Sequence, residues 1–200
     1  MLTQLRPALV LLTARTALPG LAYPLAMTGL AGLAFPSQAA GSIVLRDGRP
    51  VGSSLIGQSF TSDRFFHGRP SATAAADPAD PAKTVPAPYN AANSSGSNLG
   101  PTSAALAERV GADLARLRAE NPGAPVPVDL VTTSGSGLDP DISPAAALFQ
   151  VPRVARARAL PEPTVRALVE AQIRGRWLGL LGEPRVNVLA LNLALDGLAD

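Results

Sequence analysis

From Pro7 to Pro36 the chain reads PALVLLTARTALPGLAYPLAMTGLAGLAFP, a run with a single charge, Arg15. A helix needs about 20 mostly apolar residues to cross about 30 Å of hydrocarbon, and no residue from Thr16 to Phe35 is charged. The run is therefore long enough to span a bilayer with some tilt. Arg15 lies in its N-terminal third, where the side chain can reach back to the headgroups. Pro19, Gly20 and Pro24 weaken the helix locally. Such breaks are tolerated in lipid when neighbouring groups satisfy the freed backbone. The competing reading is a cleaved signal peptide, with MLTQLR as its charged start and Ser37-Gln38-Ala39 as a small-x-small site. Signal cores run about 7–15 residues, so the length favours a retained anchor. The third reading is a buried core helix. With Arg6, Arg15 and the amino terminus on the cytoplasmic side, the positive-inside rule puts the remainder outside. The expected organisation is a cytoplasmic N-terminus at 1–6, a transmembrane helix at 7–36 and an extracytoplasmic α/β domain at 41–200.

Composition narrows what that domain can do. Of 200 residues, 17 are Lys or Arg and 15 are Asp or Glu, a net charge of +2. Aromatics are 4%, whereas a nucleic-acid surface combines a basic stripe with stacking rings; no nucleic-acid partner is expected. There is no cysteine and one histidine, His67, which leaves no thiol nucleophile, no Cys-based zinc site and little scope for a catalytic triad.

Beyond the run, Ser42 to Val51 reads as a hairpin turning on Asp47-Gly48. Phe65-Phe66-His67-Gly68-Arg69-Pro70-Ser71 is the most aromatic spot, read as a loop anchored by two Phe. Ala72 to Pro88, with its Asp-Pro steps, reads as a surface excursion without regular structure. A Gly/Ser/Asn-rich loop from Tyr89 then leads into a helix from about Thr102 to Asn121, with Leu106, Val110, Leu114 and Leu117 on one face. A phosphate-binding loop is excluded because the G-x-x-x-x-G-K-[ST] spacing is missing. Val126 to Thr133 reads as an edge strand. Ser143 is placed as an N-cap with Pro144 at the first helical position; the helix is expected from Ala145 to Gln150, broken before Pro152, with Arg153, Arg156 and Arg158 on a further helical stretch. Another helix follows from Pro161 to Arg174, and glycines break the chain around Trp177. Val186 to Leu195 reads as a central strand in which Asn187 and Asn192 must find partners.

The sharpest chemical candidate is Ser134-Gly135-Ser136-Gly137-Leu138-Asp139-Pro140, which brings hydroxyls and a carboxylate together, followed by Asp141. A hydrolase elbow needs G-x-S-x-G, and no second histidine is present to serve as base. EF-hand calcium spacing is absent as well. A turn that positions helices is the plainer reading, with a membrane-anchored periplasmic serine hydrolase or binding domain as the alternative function.

Several stretches, in order, resemble one family, the C subunit of the Kdp-type potassium-transporting P-type ATPase. They are RPALVLL from Arg6, SLIGQSF from Ser54, FFHGRPSA from Phe65, YNAANSSGSNLGPTS from Tyr89, VPVDLVTTSGSGLDPDISPAAA from Val126, FQVPRVARAR from Phe149 and LGEPRVNVLALNLAL from Leu181. Arg15 departs from the family's usually uncharged span. The resemblance implies a mixed α/β (α+β) soluble domain anchored by one N-terminal transmembrane helix in the bacterial inner membrane. It implies a non-catalytic subunit whose partners are a potassium-selecting channel-like subunit, a P-type ATP-hydrolysing pump subunit and a small single-span subunit. It further implies assembly and stabilisation of the complex, and a rise in the pump subunit's ATP affinity. Residues 134–140 form a family-motif loop, and the resemblance places a nucleotide contact at Gln150. No cofactor is expected on this chain itself; ATP would reach it through the pump subunit.

Overall fold

The computed structural model describes residues 2–198 and separates into two compact units that meet between Ser53 and Ser54. In the first unit, helix α1 runs over Leu5–Ala34 and is long and apolar enough to cross a membrane, with none of its span buried by the protein. The prolines do not break it. Over Leu18–Ala22 its hydrogen bonding slips to a π-turn, in which Tyr23 N–H donates to Leu18 O. Pro19 and Pro24 lack backbone donors, and a π-turn absorbs such a mismatch without ending the helix. A short helix α2, Pro36–Ala39, follows. Strands β1 (Ile43–Arg46) and β2 (Arg49–Ser53) then pair antiparallel. Their turn is the expected Asp47-Gly48 pair, with φ of 53° and 75°, the left-handed geometry of a type I′ hairpin.

The second unit is mixed: helices with two small antiparallel sheets. Four of the sequence expectations need correction here. The proline-rich segment from Ala72 to Pro88 is a hairpin, with β3 (Ala74–Ala76) against β4 (Thr84–Pro86). Pro78 and Pro81 fall in the connection, where Asp77 Oδ1 accepts from Ala79 N at 2.8 Å and Asp80 Oδ1 from Ala82 N at 3.2 Å. Each Asp-Pro step thus builds an Asx-turn, and the prolines mark the turn between two strands. The expected strand at Val126–Thr133 is instead a 3₁₀ turn at Val128–Leu130. Its Asp129 carboxylate accepts from Ser143 N at 2.7 Å and Ser143 Oγ at 3.0 Å.

The third correction concerns the C-terminal segment. Only Val186–Asn187 is strand (β6, paired with β5 at Asp141–Ile142), and Val188–Asp196 is a helix. Buried Val188, Leu191, Asn192 and Leu195 follow the i, i+3, i+4, i+7 spacing of one helical face. Asn192 is polar, so the stripe looks broken in the sequence; Asn187 supplies the start, its Oδ1 accepting from Ala190 N at 3.0 Å.

The remaining helices frame the core. Helix α3 covers Ala104–Glu120 behind a Ser103 cap. Helix α4 covers Pro144–Arg158 with Ser143 as its N-cap and Ala159 in the left-handed region at its end. It runs straight through Pro152, where a break was expected. An interior proline costs about 3 kcal/mol, and burial offsets it: Val151, Val154 and Ala155 on either side are at most 1% exposed. Helix α5 covers Glu162–Ala171 and packs Val165 and Val169 against α4; α6 is the Val188–Asp196 helix. Phe66, Phe149, Leu191 and Leu195 complete the core between them.

Leu191 is fully buried, and a core Leu→Ala change typically costs about 2–5 kcal/mol. Leu191→Ala is therefore expected to destabilise the second unit by that amount. Urea unfolding of the full chain in detergent, followed by circular dichroism, measures it.

Candidate functional site

The two sites singled out in the sequence both bond to one segment, residues 63–73, that lies outside any helix or strand. Gln150 grips it from α4. The Gln150 Oε1 accepts from His67 N at 2.8 Å and its Nε2 donates to His67 O at 3.1 Å. Asn192 on α6 does the same one residue earlier, accepting from Phe66 N at 2.8 Å and donating to Phe66 O at 3.0 Å. Two side-chain amides thus satisfy backbone groups that no helix or sheet ladder takes up.

Arginines complete the set. Arg153 donates from NH1 to the carbonyls of Asp63 at 2.7 Å and Phe65 at 3.0 Å, from NH2 to Gln150 Oε1 at 2.6 Å, and from Nε to Glu120 at 2.9 Å. Because guanidinium only donates, this contact fixes which Gln150 atom is oxygen. Arg158 donates to Arg64 O at 2.7 Å and lies 5.0 Å from the Phe65 ring centre, a cation–π contact. Gln150 and Asn192 are each 2% exposed. Both polar ends of the Gln150 side chain, where the resemblance placed a nucleotide contact, are engaged inside the chain.

His67 donates through Nε2 to Ser62 O at 3.0 Å; a carbonyl only accepts, so this nitrogen carries the proton. Burial, and then the Arg153 charge, hold its pKa below the ordinary 6.5, against the opposing pull of Glu120 and Asp63. The imidazole is neutral and committed to Ser62.

The loop at 134–140 is clasped from the other side. Ser134 N donates to Pro70 O at 3.0 Å, and Ser134 Oγ accepts from Gly137 N at 2.9 Å. Ser136 Oγ accepts from Leu138 N at 3.1 Å and lies 3.2 Å from Ser134 Oγ. Leu138 O accepts from Gly57 N at 2.8 Å and Gly137 O from Ser71 Oγ at 2.8 Å. Val188 N donates to Pro140 O at 2.9 Å. Gly137 has φ of +69°, and a Cβ there would lie 2.6 Å from Ser95 O; only glycine fits. The Asp139 carboxylate divides between Asp141 N at 3.0 Å and Arg69 NH1 at 3.1 Å. Ser134 is buried, Gly135 and Ser136 are exposed, and both hydroxyls act on the loop's own backbone. The motif is a folded junction of the kind the turn residues suggested.

Tyr89 and Arg69 join the loop to the segment, a role for which neither carries a local sequence signal. Tyr89 donates through its hydroxyl to Arg69 O at 2.7 Å. Burial first, and then the Asp139 charge, push its pKa up to about 12, with Arg69 opposing. The phenol stays protonated. A cleft of about 320 Å³ opens beside this junction, lined by Arg69, Asp129, Asp139, Asp141, Glu183 and Arg185 among others. Its charges are matched across the walls, Arg69 with Asp139 at 3.1 Å and Arg185 with Asp141 at 3.0 Å. Among the described residues, no group of three or more His, Cys, Asp or Glu is placed to hold a metal ion. Gln150 and the 134–140 loop share the segment, and no hydrogen bond joins them among the described residues.

The serine hydroxyls are tied to their own loop, His67 to a carbonyl, and the buried amides to backbone. Residues 5–197 match the family described as KdpC, K+-transporting ATPase, c chain. The chain is 78% identical over 199 residues to the potassium-transporting ATPase KdpC subunit of Methylobacterium nodulans, covering 100% of this chain and 99% of that one. It is 77% identical over 199 residues to its namesake in Methylorubrum extorquens, with the same coverage. The identity is 72% over 196 residues in Rhodopseudomonas palustris, covering 98% of each chain. The chain belongs to the KdpC family, an accessory subunit of the K+-transporting ATPase.

Replacing Gln150 by Leu strands His67 N–H, His67 O and one Arg153 donor. Each buried unpaired group costs about 1–3 kcal/mol, so Gln150→Leu is expected to destabilise the unit by about 3 kcal/mol or more in urea unfolding.

His67 gives a pH signature. Its folded pKa lies below its unfolded value of 6.5, so in that window the unfolded chain binds the extra proton and stability rises with pH. The contribution is complete above 6.5 and is lost as pH falls from there through the lower folded pKa. His67 is the sole histidine, so the slope just below neutrality should flatten in His67→Gln, which urea titrations at successive pH values would read.

Proposed function

We propose that this chain assembles and stabilises a high-affinity, ATP-driven potassium importer. In this reading it is a single-pass protein of the bacterial inner membrane, with its N-terminus cytoplasmic and its second unit periplasmic. Its partners are a channel-like potassium-selecting subunit, a P-type pump subunit that hydrolyses ATP, and a small single-span subunit. The observation that carries the reading is the family match over residues 5–197, which takes in both the apolar helix and the compact unit. The orientation is supported by Arg6 and Arg15 at the amino end of α1.

The family resemblance adds a rise in the pump subunit's ATP affinity. With the compact unit outside the membrane, that effect is exerted at a distance, through the membrane partners. Gln150 then serves it by holding the segment at 63–67 in shape, since its amide is turned onto His67 and Arg153. Asn192→Leu breaks the hold on the same segment at Phe66 without touching Gln150, so an ATP dependence of the purified complex shifted as much as in Gln150→Leu supports the shape role, and a shift in Gln150→Leu alone overturns it in favour of direct contact.

Deletion of the gene is expected to abolish growth at micromolar potassium and leave growth at high potassium intact. Unchanged growth at low potassium overturns the assignment. Purification from membranes in mild detergent is expected to bring a P-type ATPase chain along.

A further inference from the structure

Helix α1 is longer than a bilayer needs. Its 30 residues rise 1.5 Å each, which makes it about 45 Å long, against about 30 Å of hydrocarbon. Holding all of it in the hydrocarbon takes a tilt of about 48°, outside the range of about 0–40° that such helices adopt. One end therefore has to leave. The two ends are close in apolar content: Leu9, Val10, Leu11 and Leu12 stand near the start, Leu30, Leu33 and Phe35 near the finish, all of them exposed. Hydrophobicity alone does not choose between them.

Arg15 does. It is the only charged residue between Arg6 and Arg46, and the first acid in the chain is Asp47. Its side chain is exposed and without a partner among the described residues. The main chain adds to the local polarity. In an α-helix the Arg15 carbonyl takes its hydrogen bond from residue 19, and Pro19 has no N–H to give. Ala34, the last residue of the helix, lies 19 residues after Arg15, about 28.5 Å along the axis. That distance matches the hydrocarbon thickness. With the span ending at Ala34, Arg15 stands at the opposite boundary, where its guanidinium reaches the phosphates. With the helix entering at Pro7 instead, Arg15 lies about 12 Å deep. On insertion scales one arginine near the centre outweighs several leucines drawn in beside it.

We infer that Arg15 binds a phospholipid phosphate at the cytoplasmic face and so sets the depth of α1. Residues 16–34 then span the hydrocarbon, and residues 5–14 pass out of it on the cytoplasmic side. The inference rests on the reading that α1 crosses the membrane with its amino end in the cytoplasm. A guanidinium presents two parallel N–H donors to phosphate oxygens, and no acid on this helix competes for them. Lipid phosphate is favoured over a partner's carboxylate because it surrounds the helix at this depth, whichever way Arg15 turns.

The chain has no cysteine, so each introduced thiol is the only one. Leu9→Cys, Leu21→Cys and Leu33→Cys would be placed in the full chain, expressed with its partners and alone. Each would be exposed to a membrane-impermeant maleimide in inverted and in right-side-out membrane vesicles. The expected result is labelling of Leu9→Cys in inverted vesicles and none of Leu21→Cys in either. Adding Arg15→Leu frees the helix to slide outward: Leu9→Cys loses its labelling, and Leu33→Cys gains it in right-side-out vesicles. Arg15→Lys, which also binds phosphate, keeps the original pattern. A pattern unchanged by Arg15→Leu overturns the inference, as does Leu9→Cys closed from both sides in the chain expressed alone. A shift on Arg15→Leu that requires the partner subunits overturns lipid phosphate in favour of a partner's carboxylate. Labelling of Leu9→Cys only in right-side-out vesicles overturns the orientation proposed above, and labelling of Leu21→Cys overturns the span itself; either takes this inference with it.

Discussion

The second unit depends on one unusual arrangement: a buried stretch of irregular backbone whose polar groups are taken by side chains. Phe66 and His67 each have both main-chain groups taken by an amide, from Asn192 and Gln150 respectively. A buried peptide group without a partner is costly, so the segment can cross the core only because these two residues face it. Each amide carries a donor and an acceptor at the spacing of a peptide group, which is why asparagine and glutamine, and not serine or arginine, occupy these places.

The arrangement explains the charge placement around it. Arg153 is 8% exposed, and a buried charge is tolerated only when paired and fully bonded. Glu120 neutralises it, while the carbonyls of Asp63 and Phe65 and the oxygen of Gln150 take its remaining donors. The same positive charge, with burial, keeps His67 neutral. Fold and electrostatics are therefore one design: helix α4 brings Gln150 and Arg153 one turn apart on the face that meets the segment.

Local chemistry was readable in the sequence, and long-range chemistry was not. Asp47-Gly48 announces its hairpin, and Ser143-Pro144 announces the start of α4, because a turn pair or a cap acts within a few residues. The helix face of Leu106, Val110, Leu114 and Leu117 is plain for the same reason. Misreadings arose where a distant partner changed a residue's meaning. Asn192 breaks an apolar stripe until Phe66 supplies its bonds, so Val188–Asp196 looked like strand. Pro152 looks like a helix stop until core packing on both sides holds the helix together. Pro78 and Pro81 hide a hairpin because they sit in its turn. The glycines and serines of the 134–140 loop mark a turn in the sequence, yet its clasp by Arg69 and Ser71 has no local signal at all.

The bonds between Phe66 and Asn192 join residues 126 positions apart. Contacts of that separation are the last to be rewarded as a chain folds, because the loop must close first. Until α6 has emerged, Phe66 has no partner for its backbone, and β5 lacks β6 as well. The second unit therefore cannot mature from its amino end as it is made. A chain cut short by even that one element has lost the clasp at the centre of the unit rather than a dispensable tail.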